Sequence, residues 1–460
     1  MRVTIVGPGY VGLPSAVVFA GLGHHVFLLG NIPEQVERLQ KGEIHLHEPG
    51  LAESFRDLVR EGKIVPTLSY ADAIPSADVV VIAVGTPSGK YGEADLRYVF
   101  AAVRDLAEHL SDYTVVAMKS TVPVGTAEKV REIISAVILS SPPPLAGPRW
   151  KRWAKDLDSS PPKADQNDRP ITFDVASCPE FLREGTALFD TKNPDRIVIG
   201  VTSDKARDLL LELHQELPGE RVVTDPKSAE CIKYASNAFL ATKISFINEI
   251  ANICEGVGAD VTEVARGMGL DSRIGSKFLK AGLGWSGSCF PKDVRALHHI
   301  AFSNNYEPQI LKAAIEVNND QRRRLVAKLH AALGGDLQGK TIAILGLAFK
   351  PHTDDIRESA AIDLIYLLQQ KGAHVRVHDP VARPDDRDVF KDVRFMDSAQ
   401  DAVRDADAVV IATEWPEFKE LDWRALRAIV RNPFIADGRN LLDPKLMRAA
   451  GWKYASVGRP

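Results

Sequence analysis

Cys289 is preceded by the small-residue run GLGWSGS at Gly282–Ser288 and followed by Pro291, Lys292 and Asp293. Proline suits the first position of a helix, where its missing N–H would find no intrahelical partner anyway. The sequence therefore predicts a helix that starts just after Cys289. Backbone N–H groups and the macrodipole at such a start favour an anion, which lowers a thiol pKa and yields a usable thiolate. Asp293 falls four residues on, within the first turn. An isolated cysteine is more often a small inert buried residue, and an acid in a first turn often only complements the dipole. The flexible run before Cys289, which lets a substrate approach the backbone, turns the reading towards a nucleophile.

Four other groups of residues could serve the same chemistry. Lys233 and Asn237 are spaced i,i+4 and point the same way on a helix. Their neighbours Ile232, Tyr234, Ala235, Ala238 and Phe239 set them in apolar surroundings, where a lysine can donate to an alkoxide or oxyanion. Glu180 and Glu184 follow Pro179, which looks like another helix start, and would share one helical face. Arg273, Lys277 and Lys280 precede the cysteine run and suit a diphosphate-bearing substrate, with surface charge an equal reading. Lys350, Arg357 and Arg439 follow apolar runs in the stretches AFK, DDIRES and DGR; for these three, surface salt bridging is the simpler reading.

The elements that must position these residues are legible in the hydrophobic pattern. Arg2–Leu13, RVTIVGPGYVGL, is a β-branched run, then Gly7, Gly9 and Gly12, then an apolar helix start. Strand, G-x-G-x-x-G and helix in that order make the dinucleotide fingerprint. The second strand, HHVFLLG, should end in an acid for the adenosine ribose, yet it ends in Gly30, Asn31 and Ile32. Asn31 could replace part of that contact. NADP is the alternative cofactor, but no arginine stands beside Gly30 to hold a 2′-phosphate, so NAD is expected. Ser76–Pro87 and Thr114–Gly125 read as buried parallel strands ending in Thr86 and in Ser120–Thr121. Lys227–Gly256 carries almost no breakers and reads as one long helix, apolar on more than one face. A polar helical stretch follows at Asn318–Leu333. Beyond it, Gly372–Pro380 echoes Gly23–Gly30, and Asp405–Pro416 echoes Ser76–Pro87. The chain thus reads as α/β, two Rossmann-like doubly wound parallel-sheet domains joined by a central helical region.

The run GLGWSGSCFPKDVRAL resembles the cysteine motif of the UDP-glucose/GDP-mannose dehydrogenase family. CPEFLREG and KYASNAFLATKISFINE match that family in the same order, and RIGSKFLK with SCFPKD is most similar to its UDP-glucose branch. The resemblance implies two-step oxidation of the sugar C6 hydroxyl to a carboxylate with two NAD, through a cysteine thiohemiacetal and thioester. It makes Cys289, Lys233, Asn237, Asp293, Glu180 and Thr121 catalytic. It assigns Gly7, Gly9, Tyr10, Val11, Gly12, Asn31, Thr86, Thr121, Glu184 and Arg357 to the cofactor. Glu180, Phe181, Leu182, Lys233, Asn237, Arg273, Lys280, Gly287, Lys350 and Arg439 fall to UDP-glucose, with Arg273 reaching into a neighbouring subunit of at least a homodimer. Two positions depart from the family: Gly30 for an aspartate, and Cys178 for an asparagine. Rival readings are the same chemistry on GDP-mannose or a UDP-N-acetylhexosamine, a one-step hydroxyacid dehydrogenase, and a non-catalytic nucleotide-sugar binder.

Composition bounds these readings. At 460 residues, 45% hydrophobic and 26% charged, the chain has ample core for two or three domains. The expected divisions are 1–215 for the cofactor, 216–330 for the helical dimerisation region and 331–460 for the sugar nucleotide. A formal net charge of -4 gives no reason to expect nucleic acid or a membrane surface. Four scattered cysteines fit neither a disulfide framework nor a metal site, so a cytoplasmic setting is expected. The stretch 137–170 breaks the pattern: it holds seven of the 28 prolines and the cluster RWKRW at Arg149–Trp153, and reads as a loop insertion.

Overall fold

The computed structural model describes residues 1–140 and 172–460. RWKRW and all of the proline-rich insertion beyond residue 140 lie outside the described residues. The chain divides into two compact units, Met1–Gly89 with Ala94–Lys233, and Lys90–Glu93 with Tyr234–Pro460.

In the first unit, β1 (Arg2–Val6), β2 (His25–Leu29), β3 (Ile64–Thr67), β4 (Val79–Ile82), β5 (Thr114–Met118), β6 (Phe173–Ser177), β7 (Arg196–Gly200) and β8 (Glu220–Thr224) form one sheet in the order β3-β2-β1-β4-β5-β6-β7-β8. All neighbours are parallel except β6 and β7. Alternation along the strands feeds two cores. Val3, Ile5, Val79 and Val81 face the helix Gly12–Gly21, whereas Val6, Val80 and Ile82 pack with Val99, Val103 and Val130. Helices cover both faces, so the strands read as unbroken apolar runs. Each such side chain, fully buried, contributes about 1.5–3 kcal/mol.

The second unit repeats the plan. Its strands β9 (Thr341–Leu345), β10 (His374–His378), β11 (Val393–Phe395), β12 (Ala408–Ile411), β13 (Phe434–Asp437) and β14 (Lys453–Ser456) are all parallel, in the order β11-β10-β9-β12-β13-β14. Both sheets thus run 3-2-1-4-5-6 over their first six strands, with the order reversing beside the first strand, where dinucleotide folds open their ligand crevice. The repeat expected from the sequence is present.

Four helices lie in the middle of the chain, the short Val261–Gly269 among them. The long helix Pro226–Val257 spans 32 residues, as the lack of breakers predicts. Phe290–Ser303 follows the cysteine run, and Gln309–Ala332 starts nine residues ahead of the polar stretch singled out in the sequence. On the long helix Phe239, Phe246, Ile253 and Val257 are 65%, 46%, 55% and 73% exposed, an apolar stripe at helical spacing. Among the described residues, no helix is long and apolar enough to cross a membrane, and no cluster of His, Cys, Asp or Glu could hold a metal ion.

Candidate active site

The cysteine helix starts where the sequence places it, with Cys289 as N-cap and Pro291 in the first turn. The Cys289 side chain is exposed, with the Ser288 hydroxyl 3.7 Å from its sulfur. Asp293 is the reverse, only 1% exposed. Its N–H donates to the Cys289 carbonyl at 2.9 Å. A carboxylate so deep is tolerable only when paired, and Asp293 has two partners: Asn237 Nδ2 donates at 2.6 Å, and Lys292 Nζ donates to the other oxygen. The nucleophile candidate and its nearest acid therefore share one helical turn, one facing solvent and one locked.

What holds the cysteine run was not legible beforehand. Gly282 N–H donates to Asn248 Oδ1 at 2.8 Å, and Trp285 Nε1 donates to Ser245 Oγ at 2.9 Å, both on the long helix. From Gln309–Ala332, Asn318 Oδ1 accepts the Trp285 N–H at 2.7 Å while Arg322 Nη2 donates to the Trp285 carbonyl at 2.9 Å. The Leu283 N–H reaches the Gly438 carbonyl at 3.0 Å. Gly287 (φ +85°) lies against the Phe349 ring, where a Cβ would come within 2.5 Å of a ring carbon. A run without regular structure thus gains its shape from buried polar side chains on two helices, which saturate backbone groups and the Trp285 indole N–H that burial would otherwise penalise.

Among the cations of the second unit, Arg439 is engaged with its own fold. Its Nε donates to the Ala412 carbonyl at 2.7 Å and its Nη2 to the Phe349 carbonyl at 3.3 Å. Lys350 is the next residue, with Nζ 5.3 Å from the Phe349 ring centroid. Gly287, Lys350 and Arg439 therefore gather around Phe349. Arg357 forms a fork on Asp355, at 2.9 and 2.7 Å. Arg273 is 87% exposed and paired with Asp271, and Lys280 is exposed.

In the first unit, β1 ends in the glycine turn. Gly7 takes φ +107°, and a Cβ there would lie 2.7 Å from the Ala83 carbonyl oxygen. Gly9 has nothing within 4 Å of its missing Cβ, which leaves the backbone open to a diphosphate beside the N-terminus of Gly12–Gly21. Tyr10 and Val11 complete this turn. The residues fit a dinucleotide at its diphosphate end. The ribose end is different: a Cβ on Gly30 would stand 2.7 Å from Val36 Cγ2, so the place of the usual acid is partly filled, and Asn31 is exposed beside it. Thr86 Oγ1 donates to the Thr121 carbonyl at 2.9 Å, tying the ends of β4 and β5 together.

Lys233 is 4% exposed and donates to the Glu180 carbonyl at 2.8 Å and carboxylate at 2.9 Å. The Leu182 N–H donates to the other carboxylate oxygen of Glu180 at 2.7 Å, and Phe181 is covered by the Arg196 guanidinium 3.8 Å from its centroid. Glu180–Leu182 thus wraps around Lys233. The helix expected from Pro179 is absent, and regular helix begins only at Ala187. The buried Glu48 carboxylate, far away in sequence, accepts the Gly185 and Ala187 N–H groups and fixes a turn instead. Glu180 and Glu184 therefore do not share a helical face. Two further groups lie close by: burial pushes the Lys119 ammonium pKa down, opposed by Cys178 and Glu180 and reinforced by Lys233. Burial likewise pushes the Cys178 thiol up to about 12, so it stays protonated.

Comparison with known proteins agrees with this geometry. Residues 1–218 match the NAD binding domain of the UDP-glucose/GDP-mannose dehydrogenase family, 227–320 its central domain and 343–444 its UDP binding domain. The chain is 46% identical over 464 residues to the UDP-glucose 6-dehydrogenase TuaD of Bacillus subtilis, covering 100% of this chain and 93% of that protein. It is 43% identical to the UDP-glucose 6-dehydrogenase of Rhizobium meliloti, covering 100% of both. Among solved structures, the UDP-glucose dehydrogenase of Pyrobaculum islandicum superposes with a TM-score of 0.86 at 37% identity, covering 100% of this chain and 98% of that one.

Proposed function

The chain belongs to the UDP-glucose/GDP-mannose dehydrogenase family, and from that premise we propose that it oxidises UDP-glucose to UDP-glucuronate as an NAD-dependent 6-dehydrogenase. The observation that carries the reading is the pairing of an exposed Cys289 at a helix N-cap with a buried, doubly bonded Asp293 one turn on. A one-step alcohol dehydrogenase has no use for that thiol, whereas two-step oxidation to an acid needs a nucleophile that turns the aldehyde into a hydride donor.

When bound, NAD supplies the hydride acceptor for each of the two oxidations. The chain's own residues do the rest. Lys233 and Asn237 steady the C6 oxygen as the hydroxyl gives up its proton and one C6 hydrogen leaves as hydride, so that C6 becomes a carbonyl. The Cys289 thiolate adds to that carbonyl carbon, and the new oxyanion takes a proton to give a thiohemiacetal. Loss of the remaining C6 hydrogen as hydride, and of the hydroxyl proton, leaves a thioester. Water held by Thr121 and Asp293, with Glu180 assisting, adds to the acyl carbon; the C–S bond breaks, and the thiol and carboxylate are released. Gly287, Phe181, Leu182, Arg273, Lys280, Lys350 and Arg439 are assigned to UDP-glucose. Gly7, Gly9, Tyr10, Val11, Gly12, Asn31, Thr86, Glu184 and Arg357 are assigned to the dinucleotide. The exposed stripe Phe239–Phe246–Ile253–Val257 supports a homodimer, because a long apolar face is costly to leave in water. Arg273 is assigned to the substrate of the neighbouring subunit; its pairing with Asp271 on the surface leaves that role open to it. A cytoplasmic location agrees with four cysteines in no disulfide.

The test is NADH formed per UDP-glucose consumed, for the wild type and Cys289→Ser. Two NADH per sugar, with net turnover lost in the variant, is the expected outcome. One NADH per sugar with Cys289 dispensable would sink the thioester route. Sedimentation velocity should show a dimer, and Phe246→Glu should shift it to monomer.

A further inference from the structure

The loop after β5 carries Lys119, Ser120 and Thr121 and ends at Gly125, where the helix Thr126–Ser140 starts. At its near end Thr86 holds the Thr121 carbonyl. At its far end stands Glu230, a residue of the long helix that is 2% exposed. One carboxylate oxygen accepts the Gly125 N–H at 2.6 Å and the other the Ala127 N–H at 2.9 Å. Gly125 takes φ +91°, and Thr126 Oγ1 closes the turn on the Pro123 carbonyl at 2.5 Å. Glu230 precedes Lys233 by about one helical turn. A single turn of the long helix therefore carries both the carboxylate bonded to the Thr121 loop and the lysine bonded to Glu180.

We propose that Glu230 is a positioning residue for the reaction, its two carboxylate oxygens fixing where Thr121 stands with respect to Lys233. The inference rests on the role given above to Thr121. It needs a carboxylate specifically. A glutamine presents one acceptor and turns its amide N–H₂ towards the second backbone donor, and a protonated carboxyl weakens one of the two bonds in the same way.

The electrostatics make this latch sensitive near neutrality. Burial pushes the Glu230 carboxyl up to about 7, against the lowering effect of the Ala127 and Gly125 N–H groups, and Glu128 pushes it further up. The charged groups that face it are Glu128 on the helix Thr126–Ser140 and Lys227 on its own helix, which pair with each other at 2.9 Å. The two readouts have opposite signs. Activity should fall as pH drops through about 7, because protonation removes an acceptor. Stability should fall as pH rises from the ordinary glutamate value towards 7, because the folded chain holds a proton that the unfolded chain has released.

The experiment is steady-state kinetics of the full chain on UDP-glucose and NAD across about pH 5.5–8.5, for wild type, Glu230→Gln and Glu230→Asp. Hydrogen–deuterium exchange of peptides spanning 121–130, corrected for intrinsic pH dependence, accompanies it. The expected result is a kcat about tenfold lower in Glu230→Gln, with the KM for UDP-glucose little changed and the acid limb near pH 7 lost. Glu230→Asp should recover part of the turnover. Wild-type kcat and an unaltered acid limb in Glu230→Gln would overturn the proposal, as would a lower melting temperature alone. Should the wild type not oxidise UDP-glucose, the functional reading fails while the exchange data still test the latch. Protection of the Gly125 and Ala127 amides must then weaken below pH 7, and unchanged protection rules the latch out. If Glu230→Gln does not fold, Glu230→Asp and wild-type exchange decide the matter.

Discussion

The two sheets begin alike and then treat their first turn in opposite ways. Gly7 follows β1 with φ +107° and donates to the Leu29 carbonyl at 2.9 Å; Gly346 follows β9 with φ +103° and donates to the His378 carbonyl at 2.8 Å. After Gly7 the chain passes Gly9 and enters its helix at Gly12. After Gly346 no helix starts until Ala360. In the second turn the Leu347 and Ala348 N–H groups donate to Asp379 Oδ2 at 2.7 and 3.0 Å. Asp379 stands just after β10, at the position Gly30 occupies just after β2. In the first half the acid is missing and the glycine turn is open; in the second the acid is present and spent on the turn. A turn whose amides are consumed is not available to cradle a diphosphate by backbone, and Lys350 and Arg439, proposed above as contacts to UDP-glucose, lie beside the same turn. In the second half the acid after the strand holds the amides of the turn, a use different from the ribose contact that an acid at this position makes in a dinucleotide fold.

The sharpest way to break this comparison is Asp379→Ala. The carboxylate is buried and also accepts from Val381, Ala382 and Trp415 Nε1, so its loss leaves several donors without a partner. Urea unfolding should show a destabilisation of about 3 kcal/mol. Lys350→Ala is the matched control. It should raise the KM for UDP-glucose roughly 10- to 100-fold while unfolding and the KM for NAD stay as in wild type. A stable Asp379→Ala chain with unaltered sugar affinity would show that the second turn holds its shape without the acid.

Much of the fold was legible in the sequence, because its signals are local. The glycine fingerprint, the echoing strands, the uninterrupted helix and a proline after Cys289 all act within a few residues. What escaped was carried by long-range polar contacts. Pro179 invites a helix, but Glu48 captures the Gly185 and Ala187 amides first. Ser245, Asn248, Asn318 and Arg322 look like ordinary helix polar residues until the cysteine run is seen folded onto them. Glu230 reads as helix surface, and only its burial against Gly125 and Ala127 marks it as otherwise. Side chains that bond to backbone more than thirty residues away leave no periodicity to detect.

The smaller effect lies at the ribose end of the first half, where restoring the acid should bring the two halves closer together. Gly30 does not lie in the left-handed region, so an aspartate is allowed by backbone, but its Cβ would stand 2.7 Å from Val36 Cγ2. Val36 is 2% exposed on the helix Pro33–Gln40 and has little room to yield. Gly30→Asp alone should therefore change NAD affinity only slightly, the gain from a carboxylate on the ribose diol being offset by the clash. Gly30→Asp with Val36→Ala removes those methyls, at a cost of about 1 kcal/mol in stability, and should tighten NAD about tenfold. It should weaken NADP, because the carboxylate repels a 2′-phosphate. Calorimetric titration of each dinucleotide reads these affinities without relying on turnover. A full gain from Gly30→Asp alone would mean that Val36 yields readily. No gain in the double variant would mean that the ribose is held elsewhere, with Asn31 as the residue to change next. Either way, the affinity lost with the acid would then be measured separately from the room lost to Val36.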